Sequence, residues 1–153
     1  MIQEFARPSR RELLVAGGLS AAALIIGSRC AFAEPADVEA ELKKLFGGKP
    51  MQNAKIKLTL PEIAENGIQV PISFEVESPM TPDNYVKSLH IFADGNPFPP
   101  VFTYHFTPEA GRAAGTNKIR LAKTQNIIAV AEMSDGTLNT VKSPIKVTLG
   151  GCG

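Results

Sequence analysis

Short segments in which apolar and polar residues alternate run through most of the chain. The clearest is Ile68–Val76, where every second residue is apolar. A period of two places one set of side chains on each face of a strand, so this segment predicts a half-buried β-strand. Similar runs, separated by turn sequences rich in Gly, Pro, Asn and Asp, predict about seven strands in total, the others being Lys55–Leu60, Tyr85–Ala93, Val101–Phe106, Lys118–Leu121, Asn126–Met133 and Ile145–Leu149.

One short helix is predicted ahead of the strands. Asp37 can cap its first turn and Gly47-Gly48 ends it. Between these points apolar residues recur at helical spacing, at Val38, Leu42, Leu45 and Phe46. With no helical pattern between the strands, the fold class is predicted to be all-β, an immunoglobulin-like antiparallel β-sandwich, with a barrel as the alternative. Pro71 predicts that its strand lies on a sheet edge or carries a bulge, because proline donates no ladder hydrogen bond.

Residues 1–33 have the features of an export signal. Arg10 and Arg11 stand just ahead of a 16-residue apolar stretch, Leu13–Ser28, which is the twin-arginine pattern. Ala31-Phe32-Ala33 supplies the small residues that signal peptidase needs, so residues 34–153 are predicted to form the mature carrier domain in the periplasm. A membrane span is disfavoured because it needs about 20 apolar residues and this stretch is interrupted by glycines. No membrane association is expected after cleavage.

The mature protein is nearly neutral. Of 16 Lys and Arg residues four lie in residues 1–33, and of 15 Asp and Glu residues two do, which leaves 12 basic and 13 acidic residues. Scattered charge of this kind excludes the basic surface of a nucleic-acid binder. His90 and His105 stand alone in strand patterns, so both are predicted to be structural and no metal site is expected. The sequence has no phosphate-binding loop, no nucleophile elbow and no cofactor motif, which predicts a non-catalytic protein.

The chain ends in a glycine-rich segment that carries a cysteine. Residues 150–153 read Gly-Gly-Cys-Gly, and Cys152 is the only thiol of the predicted mature form, since Cys30 lies in the signal. Glycines have wide backbone freedom, so Gly150, Gly151 and Gly153 are predicted to form a flexible arm beyond the last hydrogen bond of the sheet. Exported proteins usually pair their cysteines, and a solitary exposed thiol therefore indicates use as a covalent attachment point.

Other interpretations of Cys152 stay open at this point. A structural periplasmic sandwich would use the thiol for an intermolecular disulfide, giving a dimer linked through Cys152. A thiol enzyme is less favoured, because no basic or histidine residue stands near Cys152 in the sequence. A thiocarboxylate carrier also ends in Gly-Gly, but its chemistry needs a terminal glycine carboxylate and ATP.

Several of these segments together resemble the SoxY family, the sulfur-carrying subunits of the periplasmic Sox system that oxidises thiosulfate. The resemblance covers nearly the whole chain, and the tail Gly150–Gly153 is its most specific part, although the family usually ends in Gly-Gly-Cys-Gly-Gly and this chain stops one glycine earlier. The other matching segments are the leader, Lys44–Gly48, Pro61–Gly67, Ser78–Thr81 and Leu121–Asp135.

The resemblance implies a carrier cycle on Cys152. A haem enzyme joins thiosulfate to the thiol, a hydrolase releases sulfate, and a sulfane dehydrogenase oxidises the remaining sulfur. It implies that the protein holds cysteine-bound thiosulfonate or sulfane intermediates and no resident cofactor. It also implies a heterodimer with a SoxZ-type subunit, which agrees with export of an already folded complex by the twin-arginine route.

Overall fold

The computed structural model describes residues 35–151, with side chains from residue 37 onward. Helix α1 spans Pro35–Phe46 and is followed by nine strands, with one 3-10 turn at Pro108–Ala110. Along these residues no helix has both the length and the hydropathy needed to cross a bilayer. The strands are β1 (Met51–Gln52), β2 (Ile56–Thr59), β3 (Ile63–Asn66), β4 (Val70–Val76), β5 (Val86–Ala93), β6 (Pro100–His105), β7 (Ala113–Ile119), β8 (Gln125–Met133) and β9 (Leu138–Leu149).

Helix α1 confirms the predicted helix, although it begins at Pro35 and so includes Asp37 in its first turn and not as the cap. Its first turn carries the acidic Asp37 and its last turn the basic Lys43 and Lys44, the charge order that the helix dipole favours. Gly47 ends it in the left-handed region, with φ 65°, and donates its N–H to the Lys43 carbonyl at 2.8 Å. The apolar side packs Val38 and Phe46 into a small core, together with Phe92, Val130 and Leu138.

The strands form two sheets, which confirms the all-β sandwich. The larger sheet has the order β1-β9-β8-β5-β6, and β3 also pairs with β9; the smaller sheet has the order β2-β4-β7. The count is nine strands and not seven. The two that the alternation did not predict, β1 and β3, are short and pair in parallel with successive parts of β9, beginning at Met51↔Leu138 and Ile63↔Lys146.

The main core lies between the two sheets. On β4 the burial alternates as the sequence predicts, with Val70, Ile72 and Val76 buried and Pro71 and Glu75 exposed. These apolar residues pack against the inward faces of β5 and β8, which contribute Leu89, Ile91, Ile127, Ala129 and Ala131. Burial of these side chains is the main source of stability, because apolar area removed from water contributes about 25 cal/mol per Å².

The position predicted for Pro71 is wrong. Strand β4 lies in the middle of its sheet, between β2 and β7, and its pairing with β7 runs without a register shift. Pro71 is nevertheless tolerated, because the ladder between β2 and β4 ends at Thr59↔Ser73 and leaves Pro71 unpaired on that side. A proline in a central strand is acceptable where the neighbouring strand has already ended.

Candidate functional site at the base of the arm

The structure describes only the base of the predicted arm. Gly150 and Gly151 lie within the described residues, whereas Cys152, Gly153 and the leader with Arg10 and Arg11 lie outside them. The site can therefore be built up as far as the residue before the cysteine. The described residues define the path of the chain up to the residue before Cys152.

The end of β9, from which the arm leaves, is held on both sides. Strand β3 pairs with it in parallel, with Ala64 opposite Val147 and Asn66 opposite Leu149. On the other side the Thr124 hydroxyl accepts the Val147 N–H at 2.9 Å and lies 3.3 Å from the Val147 carbonyl oxygen. The C-terminal residues of β9 are thus fixed by backbone and side-chain hydrogen bonds, which gives the arm a defined starting point.

Backbone hydrogen bonds continue past the strand to Gly151. Gly67 donates its N–H to the Leu149 carbonyl at 2.8 Å, and Leu121 donates to the Gly67 carbonyl at 2.8 Å. Gly151 in turn donates its N–H to the Leu121 carbonyl at 2.9 Å and is buried. Three segments that are distant in sequence therefore meet at one point, and the arm is one of them.

The three segments approach so closely that no side chain fits between them. A Cβ placed on Gly67 would clash with the Leu121 carbonyl oxygen and would lie 2.8 Å from the Gly151 nitrogen. A Cβ on Gly150 would clash with the Ala122 carbonyl oxygen, and one on Gly151 would lie 3.0 Å from the Gly67 carbonyl. Glycine is required here because it lets one backbone pack directly on another.

This packing differs from the expectation that a free tether starts at Gly150. Among the described residues, hydrogen bonding at this end of the sheet continues to Gly151, one residue before the cysteine. The expectation rested on the backbone freedom of glycine, but the missing Cβ equally permits the close contacts seen with Gly67 and Ala122. The mobility of the arm stays a prediction, and the structure gives the conformation in which its first two residues are bound.

A buried polar side chain fixes the segment against which the arm packs. Asn96 is 7% exposed and makes three hydrogen bonds to that segment. Its amide Nδ2 donates to the Arg120 carbonyl at 2.8 Å, while its Oδ1 accepts the Ala122 N–H at 3.0 Å and the Gln125 Nε2 at 2.9 Å. Leu121, between the two bonded backbone groups, is fully buried in the main core. The carbonyl that holds Gly151 is therefore itself firmly positioned.

The neighbouring residues extend this network toward β8. Gln125 accepts the Gly95 N–H at 2.8 Å, and Asp94 accepts both the backbone N–H and the side-chain amide of Asn126 at 2.8 Å. Lys142 lies 3.7 Å from the Asp94 carboxylate. A buried polar network in which each member has a partner holds its backbone in one arrangement.

Sequence patterns did not identify these positions as functional. Asp94-Gly95-Asn96-Pro97 is a turn signal, and nothing in its composition tells that Asn96 will be buried. The available signal was the resemblance of Leu121–Asn126 and Pro61–Gly67 to the SoxY family. In the structure, Gly67 and Leu121 of these two segments make the backbone hydrogen bonds to Leu149 and Gly151.

The two histidines lie on the large sheet, His90 on β5 and His105 on β6. In the His90 ring, Nε2 lies 3.0 Å from the Ser88 hydroxyl and Nδ1 lies 3.1 Å from the Thr103 hydroxyl. Burial lowers the pKa of His90, and the nearby His105 lowers it further, while Glu132 opposes the shift. A neutral ring satisfies both hydroxyls, which fits the structural role predicted for His90. Within residues 35–151, no three His, Cys, Asp or Glu residues are grouped to hold a metal.

The comparison with protein families identifies the chain. The sequence model of the family described as Sulfur oxidation protein SoxY matches residues 42–152, and the matched range ends on the cysteine of the arm. The chain belongs to the SoxY family. The structure of the sulfur carrier protein SoxY from Chlorobium limicola f thiosulfatophilum is similar to it, with 28% identity and a TM-score of 0.62, over 74% of this chain and 98% of that one.

Other similar structures share only the fold. A superoxide reductase (neelaredoxin) from Ignicoccus hospitalis matches with 21% identity and a TM-score of 0.53, over 75% of this chain and 94% of that one. Its E23A variant gives 19% identity and a TM-score of 0.55, over 71% and 86%. No curated protein matches the chain. At such identities the likeness shows a common fold and carries no argument about function, since one fold hosts many functions.

Proposed function

We propose that this protein is a non-catalytic carrier that holds the sulfur intermediates of thiosulfate oxidation on the thiol of Cys152. The observation that supports it most is the SoxY family match, which extends through Cys152 and so includes the Gly-Gly-Cys tail. The similar structure from Chlorobium is that of a sulfur carrier protein, which supports a carrier role here. The firmly held base of the arm supports it as well, because a carrier must present its attachment point at a defined place.

In the proposed cycle, each oxidation passes its electrons to a partner enzyme and each hydrolysis consumes one water. A haem enzyme removes two electrons and one proton as thiosulfate and the Cys152 thiol form an S–S bond, giving a cysteine thiosulfonate. Water then splits the terminal sulfonate off as sulfate plus a proton, which leaves a persulfide. A sulfane dehydrogenase takes six electrons from the persulfide as three waters supply oxygen, which gives a cysteine S-sulfonate and releases seven protons. A second hydrolysis releases sulfate and restores the thiol, so the carrier itself holds cargo and supplies no catalytic group or cofactor.

The proposal includes export and a partner subunit. The twin-arginine leader with Arg10 and Arg11 carries folded proteins, which supports a periplasmic location and joint export with a SoxZ-type subunit that lacks its own signal. Replacing both arginines by lysine should leave the protein and its partner in the cytoplasm, as fractionation would measure. Export of the partner alone would argue against joint export.

The carrier proposal is tested by moving the thiol. In thiosulfate oxidation reconstituted with the other Sox components, Cys152→Ser should abolish turnover, and mass spectrometry of the wild-type C-terminal peptide should find added sulfur, sulfonate or thiosulfonate. A matched control carries Cys152→Ser with Asn53→Cys, which keeps one exposed thiol but removes it from the arm. Full turnover in either variant would refute the proposal. A wild-type peptide found only as free thiol or as a disulfide dimer would favour the structural alternative.

A further inference from the structure

The contacts at the base of the arm have the features of a binding site. We propose that Gly67, Leu121 and Ala122 form an intramolecular site for Gly150-Gly151, here called the glycine seat, which the arm occupies between reactions and leaves when Cys152 enters an enzyme. The occupied state is the one in the structure. The release step rests on the proposed carrier function, whereas the existence of the seat does not.

The seat is specific for a segment without side chains. It offers the Leu121 carbonyl as acceptor for the Gly151 N–H at 2.9 Å, and its own backbone fills the space where side chains of the arm would lie. An alanine at position 150 would place its Cβ against the Ala122 carbonyl oxygen. The ligand class is thus an extended glycine dipeptide, and this accounts for two glycines directly before Cys152.

The seat exists independently of the arm. Leu121 is anchored in the main core, and Asn96 bonds the residues on both sides of it. Gly67 is bonded through its carbonyl to the Leu121 N–H at 2.8 Å. None of these contacts involves residues 150–153, so the seat keeps its shape when the arm leaves and is ready to bind it again.

Occupancy of the seat changes how far the cysteine can reach. With Gly151 bound, the Cα of Cys152 lies about 3.8 Å from the last anchored Cα, the spacing across one trans peptide. With the arm released as far back as Leu149, three residues at roughly 3.3–3.6 Å each let Cys152 extend about 10–11 Å. A net hydrogen bond contributes little free energy in water, so binding of the arm to an enzyme suffices to open the seat.

The test replaces a residue of the seat and leaves the arm unchanged. Gly67→Ala should raise the exchange rate of the Gly151 amide hydrogen about tenfold, equivalent to about 1.4 kcal/mol, and should speed alkylation of Cys152 by a maleimide. In the wild type the Gly151 amide should exchange more slowly than that of Gly153. The matched control is Gly115→Ala on β7 of the smaller sheet, whose Cβ would lie 2.7 Å from the Phe74 ring and near no residue of the arm. It should leave Gly151 protected.

A second variant covers the case in which Gly67→Ala does not fold. Gly150→Ala also removes the fit, because its Cβ clashes with the Ala122 carbonyl oxygen, and lifting the arm relieves that clash without disturbing a strand. The same rise in exchange is expected. A Gly151 amide that exchanges as fast as that of Gly153 in the wild type, or one that neither variant affects, would overturn the seat. Both measurements use the isolated protein without thiosulfate, so a failed carrier role is recorded separately, by the turnover of Cys152→Ser.

Discussion

Replacing Asn96 by alanine tests whether the buried polar network holds the arm-bearing segment. The substitution removes three hydrogen bonds, of 2.8, 3.0 and 2.9 Å, to the Arg120 carbonyl, the Ala122 N–H and the Gln125 amide. Gln125 keeps its bond to the Lys123 carbonyl at 3.0 Å, so the main loss falls on the two backbone groups. An unsatisfied buried group costs about 1–3 kcal/mol, and the low end applies where water reaches, as it does at Ala122.

We therefore expect Asn96→Ala to lower the free energy of unfolding by about 2–3 kcal/mol. In urea this should lower the denaturation midpoint by roughly 1–2 M with an unchanged m-value. The control is Asn53→Ala, an exposed asparagine whose loss should change stability by no more than about 0.5 kcal/mol. If Asn96→Ala and Asn53→Ala unfolded at the same urea concentration, the network would contribute no net stability and the reasoning would fail.

Two further predictions concern His90 and the core residue Phe74. Burial lowers the pKa of His90, so the unfolded chain binds more protons than the folded one. The contribution of His90 to stability is therefore fully present above its ordinary pKa of 6.5 and is lost as the pH falls through the lowered pKa. Melting temperatures between about pH 5 and 8 should fall more steeply on acidification for wild type than for His90→Gln, and parallel curves would contradict this. Phe74 is 3% exposed and packs beside Phe102 and Tyr104, so Phe74→Ala should lower the free energy of unfolding in denaturant by about 3–5 kcal/mol. The control Phe98→Ala, at a residue that is 82% exposed, should change the free energy of unfolding little. Equal effects of the two substitutions would refute the core assignment.

The sequence predicts best where a strand has one face in the core. Strands β2, β4, β5, β6 and β8 are predicted within two residues at each end, because each packs apolar side chains against the core. Strand β7 was placed only at its end, since Ala113-Ala114-Gly115 has no apolar alternation. The reason is packing: Gly115 leaves room for the Phe74 ring of the neighbouring strand, 2.7 Å from where its Cβ would be. Strand β9 was predicted too short because it continues through Pro144.

The base of the arm could be located from the sequence but its conformation could not. A missing Cβ gives glycine both freedom and the ability to touch another backbone, and which of these is used depends on what lies opposite. For Gly150 and Gly151 the opposite residues are Ala122 and Gly67, which reach them only through the tertiary fold. A local pattern carries no information about such partners, so the close contacts of Gly150 and Gly151 could not be predicted from the sequence.

In the proposed carrier, the sandwich takes no part in the chemistry but positions the arm. A sulfur attached at the end of a chain samples a volume set by the distance to its last fixed atom, and fixing Gly151 rather than Leu149 shrinks that distance by about two residue lengths. The parts that fix it come from different places in the fold: Leu121 from the main core, Gly67 from the end of β3, and Asn96 from the loop after β5. The same sandwich without these contacts would leave the arm free, so in the proposed carrier the body contributes position, and the enzymes that it visits contribute reactivity.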